Sequence, residues 1–186
     1  MEFTDIIFSR KSIRSFSKKD IPSDILEKIL EAGRLAPSVQ NKQCWRFVIV
    51  QGEEIRRKLA LKSGLIGKVN FFIKDAPVII VACAVPSRSV RLNSQDYYLV
   101  DTAIAFQQMM LAAWSFGIGS CWLAAFNENK VKEILQIPDK IRIVGMSPFG
   151  YPKEKSSLYD KALKTFAGSK KRLPVEKIVC YNKWNL

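Results

Sequence analysis

Ala36-Pro37-Ser38-Val39-Gln40-Asn41-Lys42-Gln43-Cys44-Trp45-Arg46-Phe47-Val48-Ile49-Val50 contains a helix stop, a polar loop and a strand in one short run. Pro37 ends the helix before it, because the residue preceding a proline is pushed out of helical geometry. Trp45 to Val50 is apolar except for Arg46 and predicts a strand. Between them, Ser38, Gln40, Asn41 and Gln43 crowd hydroxyl and amide groups into a few positions. A polar connection anchored by Trp45 would explain the proline and the tryptophan. It would not explain the density of amides, which suits a loop that reads a planar polar ligand.

Working upstream, Ser23 and Asp24 open a helix whose apolar face is Ile25, Leu26, Ile29 and Leu30, with Gly33 continuing it as a small residue. Residues 2–9 predict a short helix running into Arg10-Lys11-Ser12-Ile13-Arg14-Ser15-Phe16. Guanidinium forks and a serine hydroxyl suit phosphate oxygens. A solvated basic turn is the competing reading of that segment alone.

Downstream, Glu53 to Lys62 predicts a charged surface helix, and Val78–Val85 a strand covered on both faces. Asp96 to Phe116 predicts the longest helix. Leu99, Val100, Ala103, Ile104, Phe106, Met109, Met110, Leu111, Ala113 and Trp114 cover nearly its whole circumference. Such a helix lies at the centre of a core or against a partner subunit. Gly117 ends it, and Ile118 to Ala125 predicts another buried strand. Asn127 caps a helix through Leu135, and Ile141 to Phe149 forms a further strand, closed by Gly150-Tyr151-Pro152. Residues 153–174 are basic and irregular, and Val175–Leu186 is expected to be a C-terminal arm. The alternation predicts one mixed α/β domain over residues 1–186, its sheet covered by helices on both sides.

At 186 residues the chain is long enough to bury roughly two-thirds of its unfolded surface. Lys+Arg 30 against Asp+Glu 17 gives a net charge of +13, which admits nucleic acid, an anionic surface or phosphate-bearing small molecules as partners. Aromatic and basic residues do not interleave as a stacking platform requires, which argues against nucleic acid. The absence of histidine removes the commonest general base, the usual catalytic triads and most zinc sites, so no metal is expected. Cys44, Cys83, Cys121 and Cys180 form no CxxC pair and read as small buried hydrophobes of a reducing compartment. The longest apolar run, Ala76–Pro86, is shorter than the ~20 residues that span a bilayer. No secretory signal is visible, and a cytoplasmic location is expected.

Taken in order, RKSIRSF, APSVQNKQCWRFVIV, the apolar strand after DAP, GIGSCWLAAF, SPFGYP and KKRLP resemble the FMN-dependent nitroreductase family in its compact branch. The resemblance runs from about residue 6 to residue 180, and the APSxxNxQxW core is its most specific part. It implies an α+β three-layer fold with a mainly antiparallel or mixed sheet, in a domain-exchanged homodimer with FMN at the interface. It also implies tightly but non-covalently bound FMN, and NADH or NADPH as electron donor. The reaction it implies is a ping-pong transfer of electrons to nitroaromatics, quinones or similar flat acceptors. Relatives in that fold that dehalogenate iodotyrosine or fragment flavin give an alternative chemistry.

Matched by motif, Arg10, Lys11 and Ser12 would meet the flavin phosphate and ribityl chain, and Arg14 the pyrimidine end of the ring. Pro37, Ser38, Val39 and Asn41 would come from the other subunit. Ala124 and Ala125 would lie against the N5 side, with Trp122 and Leu123 beside it. Lys170 and Arg172 would join the phosphate, and Phe149 and Gly150 complete the set. No side chain is expected to act as catalytic acid or base, because the flavin carries the chemistry. Cys44 stands where the family usually has proline.

Overall fold

The computed structural model describes residues 2–64, 70–153 and 172–184. The chain divides into two compact units, Met1–Glu154 and Lys155–Leu186. The first carries helices α1 (Phe3–Ser9), α2 (Ser23–Arg34), α3 (Glu53–Lys62), α4 (Tyr97–Ser115) and α5 (Glu128–Leu135). Its strands are β1 (Trp45–Val50), β2 (Val78–Ala84), β3 (Arg91–Leu92), β4 (Gln95–Asp96), β5 (Gly119–Ser120) and β6 (Arg142–Gly150). In the second unit, Val175–Lys177 forms one 3-10 turn closed by the Lys177 N–H on the Pro174 carbonyl (3.0 Å), and no strand occurs among its described residues.

The main sheet has the order β1-β2-β6-β5, and every pair in it is antiparallel. Strand β2 is buried at every position, as its unbroken apolar sequence requires of a central strand. Val78, Ile80 and Ala82 face Leu26 and Ile29 of α2 and Phe106, Met109, Met110 and Ala113 of α4. Gly33 permits that packing, since a Cβ there would lie 2.6 Å from the Met109 sulfur. On the opposite face, Cys83 lies near Glu128 and Lys132 of α5, and burial pushes its thiol up to about 12. These are the three layers expected. Asn127 caps α5, its side chain accepting the Lys130 N–H at 3.0 Å. Glu128 then takes the Arg142 guanidinium at 3.0 and 3.2 Å and the Ile143 N–H at 3.0 Å, fastening α5 to the start of β6.

The strand expected over Ile118–Ala125 is shorter than its apolar content suggested. The β5–β6 register pairs Gly119 with Gly150 and Ser120 with Phe149, and the Leu123–Met146 bridge falls in the same register. The pair between them brings Cys121 opposite Pro148, which has no N–H to give to the ladder. The Cys121 N–H goes instead to the Ser147 hydroxyl (3.0 Å), which donates to the Pro148 carbonyl (3.0 Å). The ladder therefore stops after two residues and resumes only as one bridge.

Candidate active site

The basic segment is built onto the end of β5. The Ile13 N–H donates to the Ser120 carbonyl (2.9 Å), and Ser12 pairs with Ser120 in a parallel bridge. Further along, the Ser17 N–H reaches the Tyr151 carbonyl (2.8 Å) and the Lys153 N–H the Ser15 carbonyl (3.1 Å). Ile13 and Phe16 are buried and act as the pegs of the segment. Gly119 gives Ile13 its place, because a Cβ there would stand 2.4 Å from Ile13 Cγ1. Arg14, between the pegs, and Ser12, just before them, are half-buried; Arg10 is half-buried and Lys11 exposed at the segment's start. Nη1 of Arg14 is buried with no hydrogen-bond partner. A buried guanidinium nitrogen without an acceptor is costly, so this position is suited to an anionic or carbonyl oxygen of a ligand.

The polar loop is held differently. Ala36, Cys44 and Trp45 are buried and pin its two ends. Between them Gln40, Asn41 and Gln43 take φ of 51°, 54° and 47°, the left-handed region that side chains other than glycine enter at a cost. Side chains offset that cost. The Gln43 N–H donates to the Ser38 hydroxyl (3.0 Å), and the Gln43 amide donates to Asn41 Oδ1 (2.8 Å). The Val39 N–H donates to Oδ1 of Asp101 on α4 (3.2 Å). Cys44 is wholly buried, and burial raises its thiol above the ordinary value.

The third segment lies past the ladder break. The Trp122 ring covers Gly145, where a Cβ would be 2.7 Å from the indole, and meets Phe106 edge-on at 5.4 Å. Leu123 exchanges two hydrogen bonds with Met146 (2.9 and 3.1 Å) and is buried. Ala124 and Ala125 are exposed. The buried Asn70 amide donates to the Ala125 carbonyl (2.8 Å) and fixes that turn.

Not every expected site residue lies in this group. The side chain of Phe149 is wholly buried and packs edge-on against Phe106 at 6.1 Å, so it belongs to the core. Gly150 is packed against Pro77 and Phe16, and a Cβ there would be 2.6 Å from Pro77 Cδ. Only their main chain remains for a ligand. Lys170 lies outside the described residues, and Arg172 belongs to the second unit. Two positioning side chains, Asp101 and Asn70, escaped the sequence reading. Asp101 carried a signal, being the sole charge in α4; Asn70 carried none.

The basic segment and the polar loop attach to opposite ends of α4. The Trp114 indole N–H donates to the Ser9 hydroxyl (2.8 Å) just before Arg10, while Asp101 holds the loop. At ~1.5 Å per helical residue, the two anchors stand roughly 20 Å apart. One face of α4 is apolar and open, with Leu99, Val100 and Ile104 exposed at 45, 43 and 40%. Among the described residues no cluster of His, Cys, Asp and Glu could hold a metal ion, and no helix is long and apolar enough to cross a membrane.

The sequence model of the nitroreductase family matches residues 7–64 and 67–151. An Archaeoglobus fulgidus protein, provisionally named an NADH dehydrogenase/NAD(P)H nitroreductase, is 34% identical over 86% of this chain and 90% of its own. The crystal structure of a nitroreductase family protein from Clostridium novyi NT is 39% identical, covers 83% of this chain and 87% of its own, and superposes with a TM-score of 0.78. An FMN-dependent nitroreductase from Clostridium difficile R20291 is 26% identical, with coverage of 97% and 99% and a TM-score of 0.78. An iodotyrosine deiodinase from Thermotoga neapolitana is also similar, 25% identical over 84% of this chain and 92% of its own. The chain belongs to the nitroreductase family and is an oxidoreductase.

Proposed function

We propose that the protein is an FMN-dependent NAD(P)H oxidoreductase that works as a homodimer and passes electrons to flat acceptors such as nitroaromatics and quinones. The observation that carries this reading is the buried, unpartnered Nη1 of Arg14, on a basic segment docked beside Gly119–Ser120. Arg10, Lys11 and Ser12 hold the phosphate and ribityl end. Arg14 sets a fixed positive charge at the pyrimidine end, where reduced flavin carries its negative charge. The main chain at Ala124 and Ala125 borders the N5 side of the ring, beside Trp122 and Leu123. When bound, the flavin supplies hydride acceptance from the nicotinamide and electron delivery to the acceptor in two half-reactions. A chain with no histidine can serve such chemistry, since water supplies the protons.

The loop carrying Pro37, Ser38, Val39 and Asn41 comes from the second copy in this reading. Support comes from the open apolar face of α4, which a two-fold partner would cover. Antiparallel pairing of two α4 helices sets the Asp101 end of one beside the Trp114 end of the other. The two halves of the site then meet between chains.

The test is an absorption spectrum, followed by FMN titration and anaerobic mixing with NADH and with NADPH. Yellow protein that at least one nicotinamide bleaches, and that a nitrofuran or quinone restores, is the expected result. Colourless protein that takes up no added FMN overturns the reading. Iodide release from iodotyrosine without turnover of nitro acceptors would reassign the chemistry to reductive dehalogenation.

A further inference from the structure

Asp101 is the sole charged residue of α4 and is almost wholly buried, 1% exposed. A lone carboxylate in an apolar helix costs stability unless something uses it. Its Oδ1 accepts the Val39 N–H at 3.2 Å, and its Oδ2 is buried without a partner. The bond crosses 62 positions of sequence and lands on Val39, the first residue of the turn in which Gln40 and Asn41, like Gln43 just after it, have left-handed backbone. The other bonds of residues 38–43 are local: those from Gln43 to Ser38 and Asn41 stay within the loop, and Arg46 at the start of β1 donates to the Gln43 carbonyl (3.3 Å). Asp101 gives it a side-chain tie to the helix.

We propose that Asp101 is the positioning residue that clamps the 38–43 loop to α4 in its left-handed form, ready to meet the flavin held by a second copy. The flavin part rests on the function proposed above; the clamp does not. Because α4 also bears the open apolar face, the clamp fixes the loop to the element that carries that face. The loop's geometry is thus set before ligand arrives, which lowers the ordering cost of binding.

The test uses Asp101→Ala, Asp101→Asn and Val39→Pro in the full-length protein. Asn keeps an oxygen for the Val39 N–H, whereas Ala removes the acceptor. Proline removes the donor at the first position of a helical turn, behind a Ser38 whose ψ of 155° suits a following proline. Hydrogen exchange of the Val39 amide is read first, without flavin. It is expected to quicken at least ~10-fold in Asp101→Ala and to stay within about 2-fold of wild type in Asp101→Asn. FMN affinity is expected to fall ~10-fold in Asp101→Ala and Val39→Pro, to be spared in Asp101→Asn, and to fall no further in the Ala/Pro double variant. Unchanged Val39 exchange in Asp101→Ala overturns the clamp. Equal loss in Asp101→Asn and Asp101→Ala overturns the hydrogen bond as its basis and assigns the effect to charge. If Asp101→Ala does not fold, Asp101→Asn and Val39→Pro still decide: a flavin affinity unchanged by Val39→Pro overturns the role at the site. Wild-type protein that binds no FMN defeats the proposed function, while Val39 exchange still decides the clamp.

Discussion

The basic segment and the polar loop solve the same problem by opposite means. Residues 12–17 are held by main-chain bonds to β5 and to the chain after β6, and by the buried pegs Ile13 and Phe16, which leaves the side chains of Ser12 and Arg14 to serve a ligand. The Pro37–Trp45 loop spends its own side chains, Ser38, Asn41 and Gln43, on holding its shape, and borrows Asp101. The first should tolerate side-chain changes structurally and lose function by charge. The second should lose function through shape, even where the altered residue never touches a ligand.

The sharpest break of this comparison is a subunit-mixing experiment, using Arg14→Glu in one copy and Ser38→Tyr in the other. Each homodimer is expected to lose flavin affinity ~100-fold or more. If the loop serves the other copy's segment, each mixed dimer carries one intact site, and a statistical mixture recovers about a quarter of wild-type activity. A site completed within one chain recovers none. Next in size, Gly119→Ala drives a Cβ against Ile13 and should lift the basic segment off β5, costing about 1–3 kcal/mol of stability and flavin affinity with it. Thermal melts with and without FMN check both.

Arg14→Gln should leave the melting temperature of flavin-free protein unchanged or higher, since it relieves an unpaired buried charge, yet slow flavin reduction by the nicotinamide ~10- to 100-fold. Stopped-flow absorbance reads the rate. Gln43→Ala, which removes the amide that donates to Asn41 Oδ1 but keeps the main-chain bond to Ser38, should raise KM for the acceptor a few-fold with little change in kcat, as expected of lost positioning. Smallest at the site, and so a control for both regions, is Glu128→Ala. Burial opposes ionisation of that carboxyl, but Arg142, the Ile143 N–H and Lys132 outweigh it and hold it below its ordinary 4.5. Its stabilisation, about 2 kcal/mol, is therefore complete above that value and lost as pH falls through the folded one. Chemical denaturation should separate wild type from variant at pH 7, converge as pH falls through the lowered value of the Glu128 carboxyl, and show unchanged flavin affinity throughout.

Helices were legible almost residue by residue, because capping residues and apolar periodicity are local: Ser23, Asn127 and the Pro37 stop each mark a boundary that holds. Strand β2 was legible from its unbroken apolar run. The 118–125 strand was overextended because its fate depended on Pro148, far away in sequence and opposite Cys121 only after folding. Most of the site segments were visible as unusual composition, but their supports were not. Asn70 and Asp101 act through single hydrogen bonds to the main chain of distant loops, and nothing in local periodicity announces such a bond. Phe149 lies in a segment that matches a motif, while its ring packs against Phe106 in the core, a contact that no local pattern announces.

Pro148 has a consequence beyond the length of β5. A sheet edge that runs on unbroken invites another strand, from its own loops or from a neighbouring molecule. Here the missing N–H ends the edge after two residues and leaves Trp122 to Ala125 as a shelf rather than a strand. Restoring the donor, as Pro148→Val would, lengthens the ladder by one pair and favours a stiffer, more heat-resistant molecule. The same change would draw the shelf back into the sheet. At this one position, robustness of the scaffold and openness of the site are set against each other.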